Sequence, residues 1–208
     1  MHKNPRNKKD TRLDKVEKKV NALGRTVNAE LKYRDEPAAA FGFANVPNTG
    51  SFVVLNALSQ GDSATTRTGN SIVQRNLEMR LNVRWATASA VPTATLRVML
   101  IWDRQANGSL PNASNVLQFV DYLSPINDSY RKRFKVIYDK NLSVQSTGPS
   151  IVQTKKLKKL SNTVTRYSGN GGTIADITTN SLFMFMISSE AVNGPLVNYA
   201  FRMRYTDF

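Results

Sequence analysis

The chain has 208 residues, a length typical of one domain or of one domain with an extension. It carries 29 Lys and Arg against 15 Asp and Glu, a net charge of +14 at pH 7, with no cysteine and a single histidine, His2. This composition excludes disulfide scaffolds, Cys/His zinc sites, thiol nucleophiles and a Ser-His-Asp triad inside the fold. So basic a chain, with so few catalytic groups, is expected to bind polyanions and not to be an enzyme.

Half of the net charge lies in residues 1–34, which hold eleven basic and four acidic residues. Residues 2–12 contain no apolar side chain, so we predict that residues 1–12 are a disordered arm. Dense charge of one sign is suited to displacing counterions from phosphates, although a solubilising tail is the alternative. The predicted nucleic-acid contacts are Lys3, Arg6, Lys8, Lys9, Arg12, Lys15, Lys18, Lys19 and Arg25.

Residues 11–31 have apolar side chains at spacings of three and four, a pattern typical of an amphipathic helix. The apolar stripe consists of Leu13, Val16, Val20, Leu23 and Val27. It is only about two heptads long, so the isolated helix would be marginal in water. Three interpretations stay open: the helices of several copies bundle through this stripe, the stripe packs on its own domain, or the segment is disordered.

After Pro37 the apolar pattern changes to the period of two that is typical of half-buried strands. A continuous apolar run, Leu182–Ile187, predicts a strand covered on both faces, and a helix is predicted at Asn112–Tyr122. The clearest alternating segments are 76–86, 96–103, 133–139 and 199–206. Shorter candidates are 51–58, 141–146, 151–158 and 160–167.

These strands, separated by turn signals, predict an all-β fold. We predict an eight-stranded jelly-roll sandwich over residues 35–208, preceded by a basic, partly helical N-terminal arm over residues 1–34. An immunoglobulin-like sandwich is the alternative, but that domain has only about 100 residues and this body is longer.

Several short motifs follow one another in a characteristic order along residues 31–208. They are Leu31–Asp35, Gln60–Asp62, Arg67–Asn70, Leu96–Gly108, Arg133–Asp139 and Arg204–Phe208. In this order the chain resembles the single jelly-roll capsid proteins of small icosahedral viruses. The similar groups are the satellite tobacco necrosis virus coat proteins and the capsids of circular Rep-encoding single-stranded DNA viruses.

The resemblance implies a structural coat protein of the virion that assembles in the host cytoplasm or nucleus, without a membrane. The smallest icosahedral (T=1-type) shell contains about sixty copies, so the implied partners are the chain itself and a packaged single-stranded genome. The stretches 32–35 and 103–108 favour DNA slightly over RNA. In this family the helical arms bundle, which suits the Leu13–Val27 stripe. The alternative function is a free single-stranded nucleic-acid-binding protein.

Acidic residues beside turns are candidate oxygen ligands for Ca²⁺ between subunits, although turn or cap roles are the commoner explanation. The candidates are Asp35, Glu36, Asp62, Asp103 and Asp139. We expect no other cofactor.

Two further basic runs are Arg131–Arg133 and the lysines at 155, 156, 158 and 159. Lysines on a strand are usually a solvated face, and on an edge strand they block stray pairing. The alternative is that they contact phosphates on the inner wall of a shell.

Overall fold

The structure is a computed structural model that describes residues 15–16, 31–37, 44–147 and 151–207. Lys15 and Val16 are helical and exposed. Residues 1–14 and 17–30 of the predicted arm, and with them the other residues of its apolar stripe, lie outside the described residues. Within the part of the chain that is described, no helix is long and apolar enough to cross a membrane.

Besides the helical Lys15 and Val16, the described residues form ten strands, a one-turn helix and two 3₁₀ turns, at Asp128–Tyr130 and Ile174–Asp176. In chain order the strands and the helix are β1 (Leu31–Glu36), β2 (Ala44–Asn45), β3 (Ser51–Val54), β4 (Ser71–Arg84), β5 (Thr93–Asp103), α1 (Ala113–Val116), β6 (Phe134–Gln145), β7 (Ile151–Tyr167), β8 (Ile177–Thr179), β9 (Ser181–Ser188) and β10 (Leu196–Asp207).

The strands lie in two antiparallel sheets. The six-stranded sheet has the order β1-β10-β4-β7-β8, with β2 paired to β10, and the four-stranded sheet has the order β3-β9-β5-β6. When the short β2 and β8 are left out, each sheet has four strands. In one sheet β10 lies between β1 and β4, and in the other β9 lies between β3 and β5. This is the order of a double-sheet jelly roll, so the predicted all-β, eight-stranded jelly-roll sandwich is confirmed.

The sheet begins earlier than predicted. Leu31–Glu36 pairs with β10 over its whole length, so the body starts four residues before the expected boundary after residue 34. Lys32 is buried, with its Nζ 2.8 Å from Thr68 Oγ1 and 3.4 Å from Asp207 Oδ2. The Arg34 guanidinium donates to the carbonyl of Ala57. Two of the eleven basic residues assigned to the arm are therefore part of the fold. The alternation of apolar and polar residues did not reveal β1, because the side chains of β1 that face inward are charged.

The Asp207 carboxylate ties the end of the chain to the 60–70 loop. It accepts hydrogen bonds from the amides of Thr68 and Gly69 as well as facing Lys32. Burial by itself would raise the pKa of Asp207, but these amide donors and Lys32 bring it below its ordinary value. The carboxylate is therefore ionised at neutral pH and compensates the buried ammonium group.

The predicted helix Asn112–Tyr122 is wrong beyond its first turn. The chain leaves the helix at Leu117, which is extended and bridges to Ile126. The amide of Phe119 donates to Ser124 Oγ and the amide of Leu123 to Asp121 Oδ1. Such side-chain acceptors compete with helical hydrogen bonds, and here they favour a tight loop.

In the four-stranded sheet, β9 and most of β5 are buried on both faces, whereas the edge strand β6 keeps several exposed side chains. One face packs against the six-stranded sheet through residues such as Leu100 and Met184. Its other face forms a second cluster, in which Met99 and Phe185 are covered by α1 and Leu117. This confirms that Leu182–Ile187 is a strand covered on both sides. The six-stranded sheet packs with one face only, and its other face is left to carry polar side chains.

Candidate nucleic-acid interface

Positive charge is concentrated on the outward face of the six-stranded sheet. Side chains alternate along a strand, so the Arg residues of β4 and β10 and three of the five basic residues of β7 emerge on the side away from the core. We call this surface the basic face. Its cations are Arg75, Arg80, Arg84, Lys155, Lys159, Arg166, Arg202 and Arg204. Among the described residues its acids are Asp35 and Glu78, which leaves a surplus of six positive charges on one sheet face.

Two carboxylates hold the central cations of the basic face in place. Arg80 Nη2 and Lys155 Nζ each lie 3.1 Å from Glu78 Oε1. Arg202 donates two hydrogen bonds to Asp35, at 2.7 and 2.6 Å, and its guanidinium lies 4.9 Å from the centroid of the Tyr33 ring. The bonds from Lys155 and Arg80 lower the pKa of Glu78, and the bonds from Arg202 lower that of Asp35. Both acids are therefore ionised at neutral pH.

Two shallow grooves adjoin on this face and share Arg80 and Ala200. The first, about 350 Å³, is lined by Arg80 and Arg202 and by the carboxylates Asp35, Glu36 and Glu78. The second, about 500 Å³, continues past Arg80 to Lys155. The two adjoining grooves, which together we call the channel, are lined by residues of β1, β10, β4 and β7.

The alternation of side chains along β7 places the four lysines of the predicted run on two opposite faces of the strand. Lys155 and Lys159 lie on the basic face, whereas Lys156 and Lys158 are half-buried on the other side of β7. Lys156 Nζ lies 5.4 Å from the centroid of the Tyr138 ring. Within the described residues, the first half of β7 pairs with β4 alone, so it is an edge that lysines protect from stray pairing. The two interpretations of the run thus apply to different lysines.

The other basic run, Arg131–Arg133, lies apart from this face, just before β6. Arg133 binds Asp103 with two hydrogen bonds of 2.9 and 2.7 Å, while Arg131 and Lys132 are exposed. Sequence reasoning did not single out Arg75, Arg80, Arg84, Arg166, Arg202 and Arg204 as one site. The available signal was the alternation of basic with apolar residues in the predicted strands, but only the strand order places those strands side by side.

The acids proposed as Ca²⁺ ligands are mostly bound to arginine. Asp103 is fully buried against Arg133, Asp139 accepts hydrogen bonds of 2.8 and 2.6 Å from Arg97, and Asp35 is held by Arg202. In the described ranges, no group of three or more His, Cys, Asp or Glu is placed to hold a metal ion. The buried Asp103 is not available as a ligand, and a Ca²⁺ site between subunits stays a prediction.

The predicted arm contacts lie outside the described residues, except Lys15, which is exposed. The residues that cannot be placed are Lys3, Arg6, Lys8, Lys9, Arg12, Lys18, Lys19 and Arg25, together with Leu13, Val20, Leu23 and Val27 of the stripe. Their roles in binding nucleic acid and in bundling stay predictions.

Comparison with known protein families gives a match over nearly the whole chain. Residues 4–208 match the family described as satellite tobacco necrosis virus coat protein. The chain is also similar to a structure of Desmodium yellow mottle tymovirus, with 8% identity over 86% of this chain and 88% of that chain, at a TM-score of 0.39. A crystal structure of the 60-mer BFDV capsid protein is 6% identical over 86% and 89% of the two chains, at a TM-score of 0.29. No match is found among curated protein sequences.

Proposed function

This chain belongs to the satellite tobacco necrosis virus coat protein family, and from that premise we propose that it closes into a T=1-type shell of about sixty copies around a single-stranded genome. The family makes it a structural, non-enzymatic protein of the virion that assembles with copies of itself. The basic arm is proposed to condense the genome inside the shell. Assembly is proposed to take place in the host cytoplasm or nucleus.

The observation that carries this proposal is the placement of charge. One sheet of the jelly roll has a basic outward face, and β1, the first strand of that sheet, follows directly after residues 1–30. The arm therefore joins the body at the sheet that carries the surplus of positive charge. The four-stranded sheet differs, because α1 and Leu117 cover its outer side around Met99 and Phe185.

A count of charges supports a role for the body as well as the arm. Residues 1–30 hold nine basic and four acidic residues, a net +5 per copy. Sixty arms would bring roughly +300 and sixty basic faces roughly +360. Since each nucleotide carries about one negative charge, the two contributions to neutralising a genome are of similar size.

The arm stripe is proposed to bundle between copies. Val16 is helical and its side chain is 56% exposed in the single chain. An exposed stripe residue supports burial against other arms over burial against its own domain.

Single-stranded DNA stays the slightly favoured cargo. The two stretches that favoured DNA contain Lys32 and Asp103, whose side chains form ion pairs inside the fold. These two residues therefore do not identify the genome, and digestion of the packaged strand is the decisive measurement.

Electron microscopy and sedimentation of the purified full-length protein test the proposal. We expect closed particles of about 1.4 MDa, sixty times the 23.2 kDa chain, that hold a strand which, once extracted, is digested by DNase or by RNase. A small oligomer that binds single strands without forming particles would favour the alternative function, a free nucleic-acid-binding protein. A monomer with no affinity for nucleic acid would contradict both.

Deleting residues 1–12 is expected to leave the jelly roll folded and to reduce the packaged nucleic acid. These residues hold five basic and one acidic residue, and binding should weaken as salt rises because phosphate neutralisation releases counterions. The 260/280 nm absorbance ratio of purified particles measures the effect. As a control of equal length, the full chain with those five basic residues changed to Gln should show the same loss; an unchanged ratio in both variants would contradict the prediction.

A further inference from the structure

We propose that the channel on the basic face is a second binding surface for single-stranded nucleic acid, and that Glu78 limits its affinity. This inference rests on the proposed packaging function and assigns part of it to the jelly-roll body. The phosphates would lie along the channel above Ala200, within reach of Arg80, Arg202 and Lys155.

The register of the sheet places two of these cations side by side and the third close to them. Arg80 on β4 pairs with Lys155 on β7, and Arg202 on β10 pairs with Glu78, two residues from Arg80 along β4. Neighbouring strands are about 4.8 Å apart, so cations from these strands are spaced closely enough to meet successive phosphates of one strand. Arg84 and Lys159 continue the positive charge on either side of this group.

The cations of the channel are held by partners that a phosphate can replace. Arg80 and Lys155 share one carboxylate, Glu78, and Arg202 binds Asp35, all on the exposed side of the sheet. Exposed ion pairs stabilise a fold very little, so exchanging a carboxylate for a phosphate costs the subunit little stability. After the exchange, Glu78 remains near the phosphates as an uncompensated negative charge and opposes binding.

Apolar groups among the cations favour a single strand over a duplex. The Tyr33 side chain is 37% exposed beside Arg202, and Leu157 is 64% exposed between Lys155 and Lys159. Unpaired bases stack on aromatic side chains and cover apolar ones. A duplex keeps its bases stacked inside, so it offers only phosphates to this face.

A consequence is the orientation of the subunit in the shell. The basic face must point toward the genome in the interior. The four-stranded sheet, with the covering segment 104–133, must then point outward.

Binding of a fluorescent single-stranded oligonucleotide by full-length variants tests the channel. The double variant Arg80→Gln/Lys155→Gln should bind about tenfold more weakly, with the salt dependence reduced by about 1.4 in log–log slope for two lost phosphate contacts. The control Arg131→Gln/Lys132→Gln removes the same charge from exposed positions off the face and should bind almost as the unchanged chain does. Glu78→Gln should bind about threefold more tightly.

The outcomes separate this proposal from the packaging proposal. If the unchanged full-length protein fails to bind single strands at all, packaging fails and the channel fails with it. If the unchanged protein binds but the channel and control variants weaken equally, only the channel is overturned. A Glu78→Gln variant that binds more weakly would likewise contradict the role given to that carboxylate. Tighter binding of a duplex than of a single strand would overturn the choice of ligand.

A thiol probe provides an independent readout, because the chain has no cysteine of its own. Leu157→Cys places a thiol on the basic face, and Leu123→Cys places one at a position of similar exposure, 68%, in the loop over the four-stranded sheet. Single-stranded oligonucleotide should slow maleimide labelling at position 157 by about fivefold or more and leave position 123 unchanged. Equal protection at both positions, or none at 157, would overturn the proposal.

Discussion

Replacing Arg67 by Met is expected to remove most of the stability of the jelly roll. Arg67 is fully buried, and its guanidinium donates to the carbonyls of Leu58, Gly69 and Gly169. It also lies 4.3 Å from the centroid of the Tyr167 ring. Each carbonyl left unpaired in the interior costs about 1–3 kcal/mol, and three of them approach a domain's whole stability of about 5–15 kcal/mol.

Denaturant unfolding of dissociated subunits measures this loss. Arg67→Lys keeps the charge but offers a single ammonium group, which cannot reach carbonyls in three segments at once, so its stability should lie between those of the unchanged chain and Arg67→Met. Arg104→Met is the control, since Arg104 is exposed and should change stability by no more than about 0.5 kcal/mol. If Arg67→Met unfolds within about 1 kcal/mol of the unchanged chain, the guanidinium does not hold these loops together.

Replacing Leu81 by Asp is expected to abolish folded protein. Leu81 is 2% exposed in the middle of β4, where it packs in the core between the sheets. An unpaired carboxylate buried there would cost at least several kcal/mol, comparable to the entire stability of a domain. Phe201→Asp, on the adjacent β10, should have the same effect.

The yield of folded protein in the soluble fraction and its melting temperature measure the effect. Gln153→Asp introduces the same carboxylate on the neighbouring strand β7, but on the exposed face, so it should fold normally. Normal melting of Leu81→Asp would show that the two faces of the six-stranded sheet have been assigned the wrong way round. The basic face would then lose its basis, because it is defined by the same alternation.

The two buried cations near the start of the sheet show how a basic composition can mislead. Counted with the arm, Lys32 and Arg34 look like phosphate ligands, but in the fold they satisfy Asp207, Thr68 and the carbonyl of Ala57. The positive charge of the arm that is available to nucleic acid is therefore smaller than the sequence count indicates.

The jelly roll could be predicted from the sequence because most of its strands have a clear period. In β4, apolar residues alternate with polar ones from Leu77 to Val83, and only a sheet with one face in the core and one outside accommodates that pattern. The apolar run of β9 likewise required cover on both faces, which the two clusters provide. These features depend on neighbouring residues along one strand, so they can be read without the tertiary structure.

The sequence by itself determined the strand periods, the absence of cysteine chemistry and the concentration of positive charge at the N-terminus. Only the tertiary structure decided that Lys155 and Lys159 share a face with Arg80 and Arg202, because the jelly-roll order makes strands far apart in the chain into neighbours. It also decided that β1 belongs to the sheet and that the segment after Val116 is a loop. Both features depend on pairing partners and on local hydrogen bonds, which cannot be predicted from the apolar periodicity of one segment.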